Sequence, residues 1–203
     1  MENADLSEML TDPEILAVNI DPPPLFQKGH PAGCINIPLT RVGWIEDLKA
    51  SMKGKKNGII ILSKHRISGE TALKLAKENH VDVKCLICGE YEDMESRGVR
   101  LIKIPTISSE DLRKDLHRYT VIDVREHIEL VSGYIPGATH IPLSKIKKGQ
   151  FTLEKGKKYA TVCAHGVRSR IAANALIERG YDATTVTGGM AIWLINDFEV
   201  DYP

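Results

Sequence analysis

The sequence predicts an α/β fold in two units, each a mostly parallel sheet flanked by helices. Two observations predict it. Short apolar runs alternate with runs of good helix formers, and strands that alternate with helices form parallel sheets covered on both faces. The second half of the chain also repeats the order of features of the first half. At 203 residues the chain is long enough for two small domains.

Two segments recur between the halves. Residues 29–39 (GHPAGCINIPL) align with residues 133–143 (GYIPGATHIPL), at an offset of 104 from 133 minus 29. Residues 60–65 (IILSKH) align with residues 160–165 (ATVCAH), at an offset of 100 from 160 minus 60. Their shared order and spacing predict a duplicated unit of about 100 residues.

The second offset also sets Gly89 opposite Gly189. From the repeat we predict one domain over residues 1–104 and a second over residues 105–203. A β-strand, a loop, another strand and a helix are expected in the same order in each.

Four elements of the second half can be read directly. Residues 121–124 (VIDV) and the run ending at residues 161–162 are apolar and short, as strands are. Residues 170–179 favour a helix, and Gly180 stands where a C-terminal cap would lie. Residues 181–186 follow as another strand.

Composition excludes several classes of function. The chain has 27 Lys plus Arg and 27 Asp plus Glu, so it lacks the basic excess of nucleic-acid and anionic-membrane binders. No apolar run approaches the roughly 20 residues that span a bilayer. Residues 1–13 do not resemble a signal peptide. We expect a cytoplasmic protein whose four cysteines are free thiols.

The residue pattern around Cys163 predicts an anion site. The segment 163–169 (CAHGVRS) joins a predicted strand to a predicted helix. Backbone N–H groups of residues 164–169 and the helix N-terminus would favour a thiolate there, and Arg168 and Arg170 add positive charge. A thiolate is the nucleophilic form of cysteine. The alternative is a small buried hydrophobe, which requires neither the nearby glycine nor the arginines.

The second half as a whole resembles the rhodanese superfamily. The motifs that carry the resemblance are VIDVRE at 121–126, GYIPGA at 133–138, IPL at 141–143, CAHGVRS at 163–169, and GGM at 188–190 with Trp193. The resemblance implies the rhodanese fold and Cys163 as the catalytic residue. It implies a substrate-binding loop of Ala164, His165, Gly166, Val167, Arg168, Ser169 and Arg170.

The resemblance also implies the chemistry of a thiosulfate sulfurtransferase. Cys163 attacks the outer sulfur of thiosulfate, releases sulfite and passes the persulfide sulfur to a thiophilic acceptor such as cyanide or a thiol. The partners are then a small-molecule donor and acceptor, with a protein as a further candidate acceptor. No cofactor and no metal are implied.

Two alternatives stay open at this point. The protein could carry or sense persulfide sulfur for a partner protein with little turnover. A cysteine-dependent phosphatase or arsenate reductase is the other alternative. Four residues separate Cys163 from Arg168, whereas cysteine phosphatases have five, and Ser169 stands where their arginine would stand.

The first half repeats the pattern without its reactive residues. The replacements are Ser63 for Cys163, Arg66 for Gly166 and Ser68 for Arg168. A serine hydroxyl needs an adjacent base to become a nucleophile, and His65 is a candidate base. His65 has a counterpart in His165, however, so a shared loop position is the simpler account. We predict an inactive copy, which resembles tandem rhodaneses whose C-terminal unit alone reacts.

The remaining cysteines and one charged pair are predicted to be structural. Cys85 and Cys88 lie three residues apart in a predicted strand, on opposite faces, with no second pair to complete a zinc site. A resolving thiol for the reactive cysteine is the alternative. Cys34 is predicted to be core. Asp123 and Arg125 are expected to form an ion pair or a loop anchor.

Overall fold

The computed structural model describes residues 3–96 and 98–203, and for residues 3–5 it describes the backbone alone. Residues 1, 2 and 97 of the predicted first domain, and with them the start of the N-terminal segment, lie outside the described residues. The chain divides into two compact units after Lys103. None of the helices in the described ranges combines the length and apolar character that crossing a bilayer requires.

The first unit contains a four-stranded parallel sheet and a separate two-stranded antiparallel pair. Its strands are β1 (Leu16–Asn19), β2 (His30–Pro31), β3 (Ile35–Asn36), β4 (Ile59–Ser63), β5 (Val83–Cys88) and β6 (Leu101–Ile102). The sheet order is β3-β1-β4-β5, and β2 pairs with β6. Its helices are α1 (Asn3–Thr11), α2 (Pro23–Lys28), α3 (Trp44–Ser51), α4 (Arg66–Glu78) and α5 (Glu92–Glu95).

The second unit contains a five-stranded parallel sheet. Its strands are β7 (Thr106–Ile107), β8 (Thr120–Asp123), β9 (Thr139–His140), β10 (Lys158–Val162) and β11 (Asp182–Val186). Their order is β7-β11-β10-β8-β9. Its helices are α6 (Ser109–Lys114), α7 (Leu143–Lys148), α8 (Val167–Glu178) and α9 (Gly189–Ile195), with 3-10 helices η1 (Leu116–Arg118) and η2 (His127–Ser132). The predicted fold class is confirmed.

Burial explains why the central strands are apolar. All five residues of β4 are buried, as are the last four residues of β10, because each strand has a neighbour on either side and helices over both faces. The core of the second unit gathers large side chains around β10, among them Leu112, Ile135 and Trp193. This packing holds the carboxyl end of β10, where Cys163 follows.

The end of α8 confirms the predicted cap. Gly180 has φ +78°, and its N–H donates to the Ile177 carbonyl at 2.9 Å. The N–H of Tyr181 donates to the Leu176 carbonyl at 3.0 Å. These two bonds form a Schellman motif, which satisfies the last carbonyls of the helix.

A β-bulge corrects one detail of the alignment between the halves. Successive partners of β4 in β5 are Val83 and Cys85, so β5 contains one extra residue. The corresponding strands β10 and β11 pair without a bulge. Gly89 therefore corresponds to Gly188, and the predicted match to Gly189 is wrong by one position.

Candidate active site

Cys163 lies directly after β10, at the carboxyl edge of the parallel sheet, where the chain turns into α8. Its side chain is only 1% exposed. The N–H of Gly166 donates to the Cys163 sulfur at 3.2 Å. The sulfur therefore sits close to the N-terminus of a twelve-residue helix, whose dipole favours a negative charge at that end.

Two glycines make this turn possible. Gly166 precedes α8 with φ +92°, a conformation that side-chain-bearing residues avoid. Gly189 packs against the loop so closely that an added Cβ would lie 2.2 Å from the Cys163 carbonyl oxygen. The same carbonyl accepts the N–H of Met190 at 2.8 Å. The start of α9 thereby holds the backbone of Cys163 in place.

Two backbone N–H groups of the loop have no acceptor among the described residues. Among the described residues, no hydrogen bond occupies the backbone N–H of Ala164 or His165. The Ala164 carbonyl, in contrast, is used, since it accepts from Ala191 at 3.0 Å. Unpaired amides at the start of a helix are suited to bind an anion.

The positive charge of Arg168 is paired with a carboxylate of the same chain. Its guanidinium makes two hydrogen bonds to the Glu129 carboxylate, at 2.5 and 2.6 Å. The hydrogen bond from Arg168 lowers the pKa of Glu129 to about 2, and the pair raises the pKa of Arg168 in return. The bidentate pair ties η2 to the first turn of α8. Sequence reasoning missed Glu129, which lies 39 residues before its partner.

Arg170 is the cation left for the site. Its side chain is half-buried, and within residues 6–96 and 98–203 no carboxylate forms an ion pair with it. Burial lowers the pKa of Arg170, and the charge of the Cys163 sulfur opposes that effect. Arg170, more than Arg168, supplies uncompensated positive charge.

The other three predicted loop residues divide by exposure. Ser169 is fully buried, with its hydroxyl oxygen 3.6 Å from the Cys163 sulfur. His165 and Val167 are exposed, and the side chain of Val167 is 55% accessible. These two residues lie at the rim of the loop, where an incoming molecule would meet them.

The expected ion pair between Asp123 and Arg125 is confirmed. The guanidinium Nη2 lies 2.7 Å from a carboxylate oxygen, and both side chains are at most 3% exposed. Arg125 also donates to the Gly133 carbonyl at 2.8 Å and to the Glu129 carbonyl at 3.3 Å. The pair therefore anchors η2 and the turn after it to the end of β8.

Ser63 of the first unit lies in a different environment. Its hydroxyl donates to the Asp21 carboxylate at 3.0 Å, and the N–H of Lys64 donates to both oxygens of the same carboxylate, at 3.0 and 3.1 Å. Burial and the charge of Asp21 raise the pKa of Tyr91, whose hydroxyl donates to Asp21 at 2.8 Å. His65 contacts Ser63 through its backbone only. The carboxylate beside Ser63 was not predicted.

The remaining cysteines match their predictions in part. Cys34 is buried, as predicted for a core residue. Cys85 and Cys88 are partly buried, and their structural role stays a prediction. Burial raises the pKa of Cys88, which keeps it in the thiol form. Within the described residues no group of three His, Cys, Asp and Glu side chains is arranged to hold a metal ion.

Comparison with known proteins identifies relatives of the second unit. The rhodanese-like domain family matches residues 108–196. The chain is 41% identical over 73 residues to the putative sulfurtransferase YtwF of Bacillus subtilis, covering 36% of this chain and 71% of that protein. It is 29% identical over 80 residues to the thiosulfate sulfurtransferase GlpE of Pseudoalteromonas translucida, covering 39% and 76%. A crystal structure of a rhodanese-related protein from Thermoplasma volcanium is 38% identical, covers 48% of this chain and 97% of that chain, and superposes with a TM-score of 0.46.

Proposed function

Because the chain belongs to the rhodanese superfamily, we propose that its second unit is a thiosulfate sulfurtransferase in which Cys163 carries the sulfur. Sulfur transfer is the activity that the names of YtwF and GlpE share. The chemistry proposed for this chain starts from the Cys163 thiolate. It attacks the outer sulfur of thiosulfate, the sulfur–sulfur bond of thiosulfate breaks, and its electron pair leaves with sulfite.

The second half of the cycle regenerates the thiolate. A thiophilic acceptor, such as cyanide or a thiolate, attacks the outer sulfur of the Cys163 persulfide. The persulfide bond breaks, and its electron pair returns to the Cys163 sulfur. The cycle therefore requires no external oxidant or reductant.

One observation carries the proposal: two backbone N–H groups and one cation of the Cys163 loop have no partner among the described residues. The N–H groups of Ala164 and His165 have no acceptor among the described residues, and Arg170 has no carboxylate partner there. The Gly166 N–H already donates to the sulfur. One donor of this loop therefore stabilises the nucleophilic sulfur, and the unpaired donors are free to bind an anionic substrate.

In this proposal the first unit is an inactive rhodanese-like copy, because Ser63 replaces the cysteine and its loop donors are bonded to the buried Asp21 carboxylate. The partners are a small-molecule donor and acceptor, and a protein thiol is a further candidate acceptor. A cytoplasmic location fits the chemistry, since a reducing compartment keeps Cys163 available as a thiol.

The proposal is tested on the full chain by mass and by kinetics. After incubation with thiosulfate, the intact protein should gain the mass of one sulfur atom, and Cys163→Ser should gain none. Cys88→Ser is the matched control and should gain the same mass as the wild type. Thiocyanate should then form rapidly on addition of cyanide.

Two other outcomes have clear meanings. An adduct on Cys163 with negligible thiocyanate release would contradict the enzyme and favour a persulfide carrier. No adduct at all, together with hydrolysis of phosphate esters, would overturn sulfur transfer in favour of a phosphatase.

A further inference from the structure

A row of three buried hydroxyl side chains lies beneath the Cys163 loop. Thr161 is in β10, Ser169 is in the first turn of α8, and Thr185 is in β11. All three are at most 3% exposed. The Ser169 oxygen lies 2.8 Å from the Thr185 hydroxyl oxygen and 3.6 Å from the Cys163 sulfur. The row therefore reaches the reactive sulfur from inside the protein.

The direction of the Thr185–Ser169 hydrogen bond follows from the available partners. Among the described residues, the Thr185 hydroxyl has Ser169 as its single hydrogen-bond partner. The hydroxyl of Thr161 donates to two carbonyls, those of Ser169 and Thr184, at 2.9 and 3.0 Å. Because a buried hydroxyl proton is costly to leave unbonded, Thr185 donates to the Ser169 oxygen.

In the structure the Ser169 hydroxyl donates to the Gly166 carbonyl at 3.2 Å, and its oxygen accepts from the Cys163 thiol at 3.6 Å. When Cys163 loses its proton, the sulfur becomes a second acceptor for the Ser169 proton. The Gly166 carbonyl also accepts the N–H of Arg170 at 3.2 Å, so it stays bonded when Ser169 turns away. A charged acceptor binds a donor about twice as strongly as a neutral one. A thiolate or persulfide anion on Cys163 therefore attracts the Ser169 proton.

We propose that Thr185 is a positioning residue for Cys163: it donates to Ser169 and so directs the Ser169 hydroxyl proton to the sulfur anion. The inference rests on the proposed role of Cys163 as the reacting residue. Ser169 then stabilises the anion from within the protein, and the Gly166 N–H does so from the loop.

The first unit supports this inference, because it lacks the whole row. By strand register, Ile61 and Leu86 pair where Thr161 and Thr185 pair in the second unit. Gly69 stands at the position of Ser169. An added Cβ at Gly69 would lie 2.6 Å from the Cys88 sulfur and 2.9 Å from a Leu86 methyl carbon, so these two side chains fill the space that the hydroxyls occupy in the second unit. The hydroxyls are absent from the unit that lacks the cysteine.

Other charged groups also act on the sulfur and must stay constant in a test. The charges of Arg168 and Arg170 both couple to Cys163. Arg168 is neutralised by Glu129, and Asp123 of β8 is neutralised by Arg125. His165 is exposed at the rim. None of these side chains is changed by a substitution at Thr185.

The test measures the rate of Cys163 alkylation by iodoacetamide against pH, followed by mass spectrometry of the Cys163 peptide. Thr185→Val should move the midpoint of this profile upward by about one pH unit, a tenfold change in the thiol–thiolate equilibrium. Thr185→Ser keeps the hydroxyl and should restore the wild-type midpoint. Thr184→Val, the adjacent residue in β11, is the matched control and should leave it unchanged.

A double substitution separates the positioning role from a general packing role. Ser169→Ala should shift the midpoint at least as far as Thr185→Val, and Ser169→Ala with Thr185→Val should shift it no further than Ser169→Ala alone, because Thr185 acts through Ser169. An additive double variant, or a wild-type midpoint in Thr185→Val, would overturn the inference. If Thr185→Val does not fold, Thr185→Ala removes the hydroxyl without adding volume.

The readout does not depend on sulfur transfer. A shifted midpoint in a protein that forms no persulfide would retain the positioning role and refute the proposed function. An unshifted midpoint in a protein that does form a persulfide would refute the positioning role of Thr185 and retain the proposed function.

Discussion

The loops that follow β4 and β10 differ in what their donors bind. After β4, the Lys64 N–H and the Ser63 hydroxyl both donate to the Asp21 carboxylate. After β10, the corresponding Ala164 N–H has no acceptor among the described residues, and the nearby charge is that of Arg170. The donors of the loop after β4 bind a carboxylate of the same chain, whereas the Ala164 N–H of the loop after β10 is available to an anion from outside.

This difference arises at the ends of the neighbouring strands. Asn19 pairs with β4 at the position where Asp123 pairs with β10. Two residues later, Asp21 stands in the first unit and Arg125 in the second. In the second unit the Asp123 carboxylate is paired with Arg125, whereas in the first unit the Asp21 carboxylate accepts hydrogen bonds from the loop after β4. In the proposed function, the Asp21 carboxylate therefore keeps a substrate anion out of the first loop.

The start of the following helix differs as well. Gly166 takes a left-handed conformation before α8, and Arg66 stands at its position in the first unit. There α4 begins at Arg66 itself, one position sooner than α8, and the preceding His65 has φ −109°. Because arginine avoids positive φ, the loop shortens. The difference between the loops is therefore one of backbone as well as of side chains.

The largest effect should come from moving the cysteine between the loops. In a Cys163→Ser background, Ser63→Cys should still transfer sulfur at least about a thousandfold more slowly than the wild type, because the Asp21 carboxylate repels a thiolate and occupies the Lys64 amide. Thiocyanate formation and intact mass measure this. Thiocyanate formation at a rate close to that of the wild type would contradict this account and would make the cysteine the one difference that matters for transfer.

A smaller effect is expected when the internal anion is removed. Asp21→Ala should lower the free energy of unfolding by about 2–3 kcal/mol, since it leaves buried donors of Asn19, Ser63 and Tyr91 without their acceptor. Urea unfolding measures the change, with Asp93→Ala, at an exposed position of the same unit, as control. Loss of less than about 0.5 kcal/mol would mean that the network does not stabilise the first unit.

Charge in the open loop should act mainly on substrate binding. Arg170→Gln should raise KM for thiosulfate about tenfold, since it removes a charge-assisted contact to the anion. Arg170→Lys, which retains the charge, should lose less. Steady-state kinetics at constant ionic strength measure both. An unchanged KM in Arg170→Gln would remove this residue from the site.

The smallest effect is expected from the ion pair between Glu129 and Arg168, which joins η2 to the first turn of α8. The pKa of Glu129 is lowered to about 2, so its stabilising contribution is complete above the ordinary carboxylate range and is lost as the pH falls toward about 2. Glu129→Gln should lower the free energy of unfolding by about 1 kcal/mol at neutral pH, and the difference should vanish as pH falls through that window. Glu154→Gln is an exposed control. A pH-independent difference would contradict the ion-pair account.

Much of the fold could be predicted because its signals are local. The apolar run of β4 and the helix-forming run of α8 each lie within one stretch of chain, and Gly180 marks the helix end next to it. The β-bulge in β5 could not be predicted, because a single extra residue is visible only in the pairing with β4. It displaced the predicted match of Gly89 by one position.

The amino-acid sequence by itself was enough to predict Cys163 as the reacting residue, since Cys163, Gly166 and the start of α8 are contiguous. The tertiary structure alone decided what surrounds that sulfur. Glu129 binds Arg168 from η2, Thr185 reaches Ser169 from β11, and Asp21 enters the Ser63 loop from β1. The physical reason is that helix and strand preferences act over a few neighbouring residues, whereas these contacts exist only after particular strands and helices have become neighbours in space.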